Sequence, residues 1–333
     1  MSWQPIRVAW TLDWLNHEWS ILLGLLIKSS TAITYSSATN SYLTFCNIHH
    51  LPIDLTPDTL SLYITFQLHF ISASSINSYL SRICNHLEPF FSDVQKHWAS
   101  MLVKCTLKGA WQSKNHGIEW KVALTVHDLL YTHDHATLTS SLNILLFDAQ
   151  LNSSFCGLLW LSKLVLPDNE NMRDWKKVTM HHTLQWLPHA YAFWLPHHKS
   201  DSYFEGNHIL CRQIQGAPDP VPIMWCYLEF HDHAFPLHPQ LWLQVDGLTP
   251  LCSWWMSRFW TLFPNRRLAG QSMWAGGAMA LAEGGTMPDL IMESDRWSSQ
   301  MWTCYIHKNP MLVHALIHAR TNHFNSDRIP IFA

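Results

Sequence analysis

The sequence predicts a mainly α protein with a small antiparallel β-sheet, an α+β fold arranged as a helical bundle followed by a larger mixed domain. Three observations predict it. Apolar residues recur at helical spacing through much of the chain, as with Ile76, Leu80, Ile83 and Leu87. Helix-opening residues stand where such runs begin, Thr56-Pro57-Asp58 being the clearest case. Strand signals are confined to one stretch, residues 183–187, 190–195 and 208–213, separated by Pro188, Pro196 and Gly206. At 333 residues there is room for two domains, each able to bury a core of its own. Hydrophobic residues at 48% and charged residues at 14% argue against disorder.

Residues 1–29 read as an N-terminal extension without a usable motif. Its apolar run at 21–27 is interrupted by Gly24 and ends at Lys28, far short of the roughly 20 residues that span a bilayer. No basic segment precedes it, so no signal peptide is expected. A helix is expected over 30–47, with Pro52 beyond its end. Thr56 then caps a helix with Pro57 at its first position, running to about residue 70. A third helix covers 74–87 before Pro89, and a fourth covers 93–107, stopped near Gly109. These make a compact bundle over 30–110. Residues 111–120, with Lys114 and Gly117, read as a linker to a second domain over 121–320. There helical patterns resume at Thr125 and over 139–164. The three strands follow, then helices from Val221, Leu251, Gln271, Pro288, Ser298 and Asn309, and a tail over 321–333.

The eight cysteines form no C-x-x-C pair, so neither a disulfide framework nor a zinc site is expected and a reducing compartment fits. Histidine groups occur at His181-His182, His189, His197-His198 and His231-Asp232-His233. None has the spacing of a metalloprotease or zinc-finger motif, and no metal or cofactor is expected.

The last sixty residues carry the most specific signal. They read Gly270-Gln271-Ser272-Met273-Trp274-Ala275-Gly276-Gly277, then Asp295-Arg296-Trp297, then Tyr305-Ile306-His307-Lys308-Asn309-Pro310. This order resembles the catalytic core of tyrosine recombinases, the DNA breaking-rejoining integrases of mobile elements, and most closely a fungal group. The family pattern is (His or Gln)-Ser-(Leu or Met)-Arg-Ala-Gly-Gly followed by Tyr-Ile-Arg-Lys-Asn-Pro. Two further segments extend the resemblance over roughly residues 30–320. Gly157-Leu158-Leu159-Trp160-Leu161-Ser162-Lys163-Leu164 is similar to the family's Gly-Leu-(Leu or Met)-Arg-Leu-Gly-Glu-Leu. Ser75 to Leu80 and Thr106 to Gly109 are similar to its core-binding domain, the helical bundle that grips one face of the duplex.

The resemblance implies a site. Tyr305 stands where the family has the nucleophile that forms a 3′-phosphotyrosyl link. Lys199, in Leu195-Pro196-His197-His198-Lys199-Ser200-Asp201, stands at the hairpin lysine that protonates the leaving oxygen. Arg296 aligns with the late phosphate-binding position, and Gln271 stands where many relatives have His. The two arginines that clamp the scissile phosphate are replaced by Trp160 and Trp274. Lys104, Lys108 and Lys308 are the expected DNA contacts. The implied partner is double-stranded DNA, bound by a homo-oligomer, in the nucleus.

Composition bears on whether that site still works. The chain holds 19 Trp, 23 His and only 12 Gly, and Gly is usually about 7% of residues. Transitions in CpG-containing arginine codons yield Trp, Cys, His or Gln, so erosion of a mobile-element gene accounts for the pattern; an unusual but selected composition is the other source. A net charge of −3 is low for a DNA-binding protein, because Lys and Arg supply most non-specific affinity. Three functions follow: an active recombinase, a DNA-binding pseudoenzyme, or a relic without function.

Overall fold

The computed structural model describes residues 11–15, 18, 29–113, 121–138, 141–196, 205–264, 266–287 and 290–291. The chain divides into two units, Met1–Ile118 and Glu119–Ala333.

The first unit is a helical bundle. Helix α1 (Ser29–Ile48) packs on α3 (Ala73–Leu87), and α2 (Pro57–Gln67) packs on α5 (Met101–Ser113), with the short α4 (Val94–Trp98) between. Thr56 opens α2 as its composition demands. Its hydroxyl accepts from the Thr59 amide at 3.2 Å while the Thr59 hydroxyl accepts from the Thr56 amide at 2.9 Å, so two otherwise orphaned donors are satisfied reciprocally. Ser72 caps α3 more simply, its hydroxyl accepting from the Ser75 amide at 3.2 Å. The stripe Ile76, Leu80, Ile83 and Leu87 is buried against Tyr42, Leu60, Tyr63 and Ile64. Burial pushes the Tyr63 hydroxyl up to about 12.

One expected helix is two. Residues 93–107 were expected to run unbroken, but the chain breaks between α4 and α5 at Ala99 and Ser100. The Ser100 hydroxyl accepts from the Val103 amide at 3.4 Å and so starts a new helix. The new helix then passes through Gly109 to Ser113 instead of stopping there. A Cβ at Gly109 would meet nothing within 4 Å, so this glycine marks no turn or close approach.

The second unit is built around helix α7 (Leu142–Cys156), of which every residue from Leu146 to Cys156 is buried. Helices α6 (Val126–Thr137), α8 (Pro220–Ala234) and α10 (Ser272–Glu283) pack on it. A helix so enclosed must satisfy its polar side chains internally. The Gln150 amide donates to the Leu164 carbonyl at 2.8 Å, and the Ser153 hydroxyl lies 2.6 Å from the Ala149 carbonyl and 2.7 Å from the Tyr191 hydroxyl. Asp148, also buried, meets His133 of α6 at 2.9 Å and accepts from the Asn152 side chain at 2.8 Å.

The sheet is an antiparallel meander, β1 (Gln185–Leu187), β2 (Ala190–Leu195) and β3 (Asn207–Arg212), in the order β1-β2-β3. Ala190 pairs with both Leu187 and Arg212, which fixes the register. Pro188 and His189 turn β1 into β2, with His189 at φ 59, the type II arrangement that Pro at the first central position favours. On β3, Ile209 and Cys211 face the core while His208, Leu210 and Arg212 face out, the period-two pattern of a half-covered strand. Helix α9 (Cys252–Leu262) adds to the same core, with Trp255 and Phe259 buried against Phe147 and Phe263.

The helix expected over 139–164 is shorter than its pattern. Leu158 takes a left-handed φ of 51, and the Leu159 amide donates back to the Ser154 carbonyl at 2.8 Å. That is the hydrogen bond of a Schellman ending, with leucine where glycine is usual. A single turn of 3-10 helix follows at Leu161–Lys163. Of the helices expected from Pro288, Ser298 and Asn309, only Leu290 and Ile291 are described, and both are helical. No described helix is long and apolar enough to cross a membrane.

Candidate nucleic-acid cleavage site

Trp160 follows directly from the strained exit of α7. It is the first residue after the Schellman ending and precedes the 3-10 turn, and it is 44% exposed. Trp274 lies in the first turn of α10 and is 3% exposed. The two positions are 114 residues apart in sequence, yet their rings meet with centroids 6.4 Å apart and planes inclined by 46°.

Backbone contacts hold the two segments together. The Leu161 amide donates to the Gly270 carbonyl at 3.4 Å, and a Cβ at Gly270 would stand 3.0 Å from the Leu161 Cβ. Deeper along α10 the approach is closer still. A Cβ at Gly276 would come within 2.0 Å of the Leu124 carbonyl oxygen, and one at Gly277 within 2.0 Å of the Phe155 carbonyl oxygen. Both obstacles are backbone, which cannot rotate away. The Ala-Gly-Gly element of the sequence motif is therefore the contact surface that lets α10 lie directly on α7 and on the Leu124 strap. The Leu124 amide in turn donates to the Ser272 carbonyl at 2.9 Å, and the Ser272 hydroxyl accepts from the Ala269 amide at 2.9 Å. Gln271 sits at the N-cap of α10, exposed, beside the first-turn amides.

The positive end of a helix dipole favours an anion nearby. Arginines at 160 and 274 would add two fixed positive charges in the same place. What stands there instead is neutral. Each indole carries one N–H donor, whereas a guanidinium carries five and keeps its charge.

The other expected site residues divide into two groups. Lys104 and Lys108 are exposed and lie one turn apart on a single face of α5. Lys199, Arg296, Tyr305 and Lys308 lie outside the described residues.

Sequence reading missed one constellation. His181 and the pair His231-Asp232 were seen as separate histidine groups, but the fold brings them together, with one ligand-type atom of each within 4.8 Å of the others. Fifty residues separate them, and no short spacing could have signalled it.

No protein-family model matches the chain, and no curated protein matches it. Solved structures do. A lambda integrase dimer bound to a COC′ core site superposes with a TM-score of 0.53 at 12% identity, over 88% of this chain and 76% of that one. The XerH site-specific recombinase, in a post-cleavage complex with its palindromic difH substrate, superposes with a TM-score of 0.52 at 12% identity, over 78% and 70% of the two chains. The chain has the tyrosine-recombinase fold. Identity this low makes the likeness one of fold alone. Within the tyrosine-recombinase fold, the meeting of Trp160 and Trp274 joins the two segments whose motifs resemble the family's clamp.

Proposed function

We propose that this chain is a DNA-binding protein of the tyrosine-recombinase type, derived from a mobile element, whose strand cleavage is disabled at the phosphate clamp. The single observation that carries the reading is the ring contact between Trp160 and Trp274. Two motifs that resemble the family's clamp segments lie far apart in sequence and meet in space, and both present indole where the family presents guanidinium.

In the reaction the resemblance implies, the Tyr305 hydroxyl gives its proton to water and its oxygen bonds to the scissile phosphorus. The bond from phosphorus to the 5′ oxygen breaks, and that oxygen takes a proton from the Lys199 ammonium. A 3′-phosphotyrosyl link and a free 5′-hydroxyl result. The link conserves the ester's energy, so rejoining needs neither metal nor ATP. Charge builds on the non-bridging oxygens as the tyrosine attacks, and fixed cations must meet it. Loss of one preorganised donor costs about 10²–10³ in rate. Loss of two approaches about 10⁴–10⁶ where the effects multiply. The indoles also occupy volume beside the α10 start that a phosphate would need.

Duplex binding is less dependent on those two side chains. The exposed Lys104 and Lys108 face of α5 supports it, as does the DNA-bound state of the fold's neighbours. By the same reading the protein acts in the nucleus and assembles on DNA as a homo-oligomer.

The test is duplex binding by fluorescence anisotropy across a salt series, with a nicked suicide duplex to trap adducts. Binding that weakens steeply with salt, and no adduct from the wild-type chain, is the expected result. A folded chain that ignores duplex DNA at low salt would leave only a relic. An adduct formed at ordinary recombinase rates would overturn the claim that the clamp is disabled.

A further inference from the structure

At the end of α8 two histidines meet one carboxylate. His231 is 1% exposed. Its Nε2 lies 3.1 Å from the Gln240 carbonyl oxygen, which can only accept, so the ring proton is on Nε2. In the neutral ring Nδ1 then carries a lone pair. Yet Nδ1 lies 2.8 Å from Asp232 Oδ1, another acceptor. The same carboxylate oxygen is 2.9 Å from His181 Nε2, in a direction that makes no hydrogen bond. The two imidazoles are parallel within 5°, with centroids 5.2 Å apart.

The geometry points to a divalent transition-metal site formed by His181 Nε2, His231 Nδ1 and Asp232 Oδ1, of the kind that takes zinc. A single proton could reconcile His231 with Asp232, but it would make a buried imidazolium stacked on a second ring and would leave His181 unexplained. A metal ion accounts for all three atoms at once. Two imidazoles and a carboxylate suit zinc and its neighbours rather than magnesium or calcium.

The supporting structure is what a metal site requires. Metal-bound histidines ordinarily give their other ring N–H to a carbonyl or carboxylate, which sets tautomer and orientation. The Gln240 carbonyl does this for His231. The adjacent carbonyl of Pro239 accepts from the His181 amide at 2.7 Å, and Met180 forms a bridge with Gln240. One short backbone segment therefore positions both histidines. Asp232 is 54% exposed, which leaves an entry path and an open side for water as a fourth ligand. Zinc–nitrogen bonds of about 2.0 Å in a tetrahedron put ligand atoms about 3.3 Å apart, so Asp232 must withdraw by about half an ångström and the part-exposed His181 ring, now parallel to that of His231, must turn until both ring nitrogens face one point. An exposed carboxylate at a helix end has that freedom.

The full chain, stripped with chelator, would be titrated with Co(II) and followed by its visible ligand-field absorption, then by displacement with Zn(II). The expected result is a tetrahedral-type spectrum saturating at one equivalent per chain, with a rise in Tm on Zn(II) addition. His181→Ala and Asp232→Asn, both at partly exposed positions, should each weaken binding by at least about tenfold and abolish the Tm rise. His69→Ala, on the exposed surface of the other unit, should change neither. Weak binding that both site variants share with wild type would mean that other histidines hold the ion adventitiously, and the proposal would fall. It would fall equally if no ion bound at all.

Discussion

Trp160 and Trp274 form one aromatic contact across the second unit, a half-exposed ring from the exit of α7 against a buried ring from the first turn of α10. The two segments are joined through the backbone by the Leu161 amide and the Gly270 carbonyl, and a Cβ added at Gly270 would stand 3.0 Å from the Leu161 Cβ. The backbone thus brings positions 160 and 274 close enough for two large side chains to touch.

Returning both guanidiniums should restore chemistry. The double variant Trp160→Arg with Trp274→Arg is expected to form covalent adduct on a nicked suicide duplex, with each returned donor worth about 10²–10³ in rate. Each single variant should recover much less. A folded double variant that makes no more adduct than wild type would show that these positions are not the clamp.

Tyr305→Phe, made in that double variant, should abolish the adduct while leaving duplex affinity unchanged. The hydroxyl is needed for bond formation and contributes little to a charge-dominated interface. An adduct that persists would place the nucleophile at another residue.

Gly276→Ala and Gly277→Ala should each destabilise the chain by about 3 kcal/mol or more, the upper end of overpacking, because the added methyl meets backbone carbonyls. Gly109→Ala is the opposite case. It lies mid-helix in open space, and the change should stabilise α5 by about 0.5–1 kcal/mol. Urea unfolding of the three variants checks both signs.

The His133–Asp148 contact predicts a pH dependence. The hydrogen bond to Asp148, working against burial, holds the His133 imidazole above its usual value of 6.5. A histidine whose folded value is raised contributes stability that is complete below the unfolded value. That contribution is lost as pH rises through the folded one. Unfolding free energy should therefore fall above about pH 6.5, and His133→Gln should flatten that fall. The variant should also be less stable below pH 6.5, by roughly 3 kcal/mol, the low end for removing one partner of a buried pair, since His133 is itself part-exposed. A variant with the wild-type slope would show that other groups set it.

Local chemistry wrote some of this protein plainly. Thr56 with Pro57, and Thr125 with Asp128, are complete helix starts within four residues, and the structure opens α2 and α6 there. The boundaries of β2 fell where Pro188 and Pro196 allow no ladder donor. The motif order around Gln271 to Gly277 was enough to expect a recombinase-type fold, because a run of residue types at fixed spacing is itself a local property. Helix continuity was harder. Residues 93–107 and 139–164 kept an apolar pattern through breaks that were set by the Ser100 hydroxyl and by the Leu158 backbone.

Sequence by itself determined the helix starts and the strand stretch, since each depends on neighbours a few bonds away. Tertiary structure decided that Trp160 and Trp274 share one contact, that Gly276 and Gly277 are glycines because carbonyl oxygens of Leu124 and Phe155 lie 2.0 Å from where a Cβ would be, and that His181 joins His231 and Asp232. Those relationships are between atoms brought together only when α7, α8 and α10 close around a common core, and no spacing along the chain encodes them.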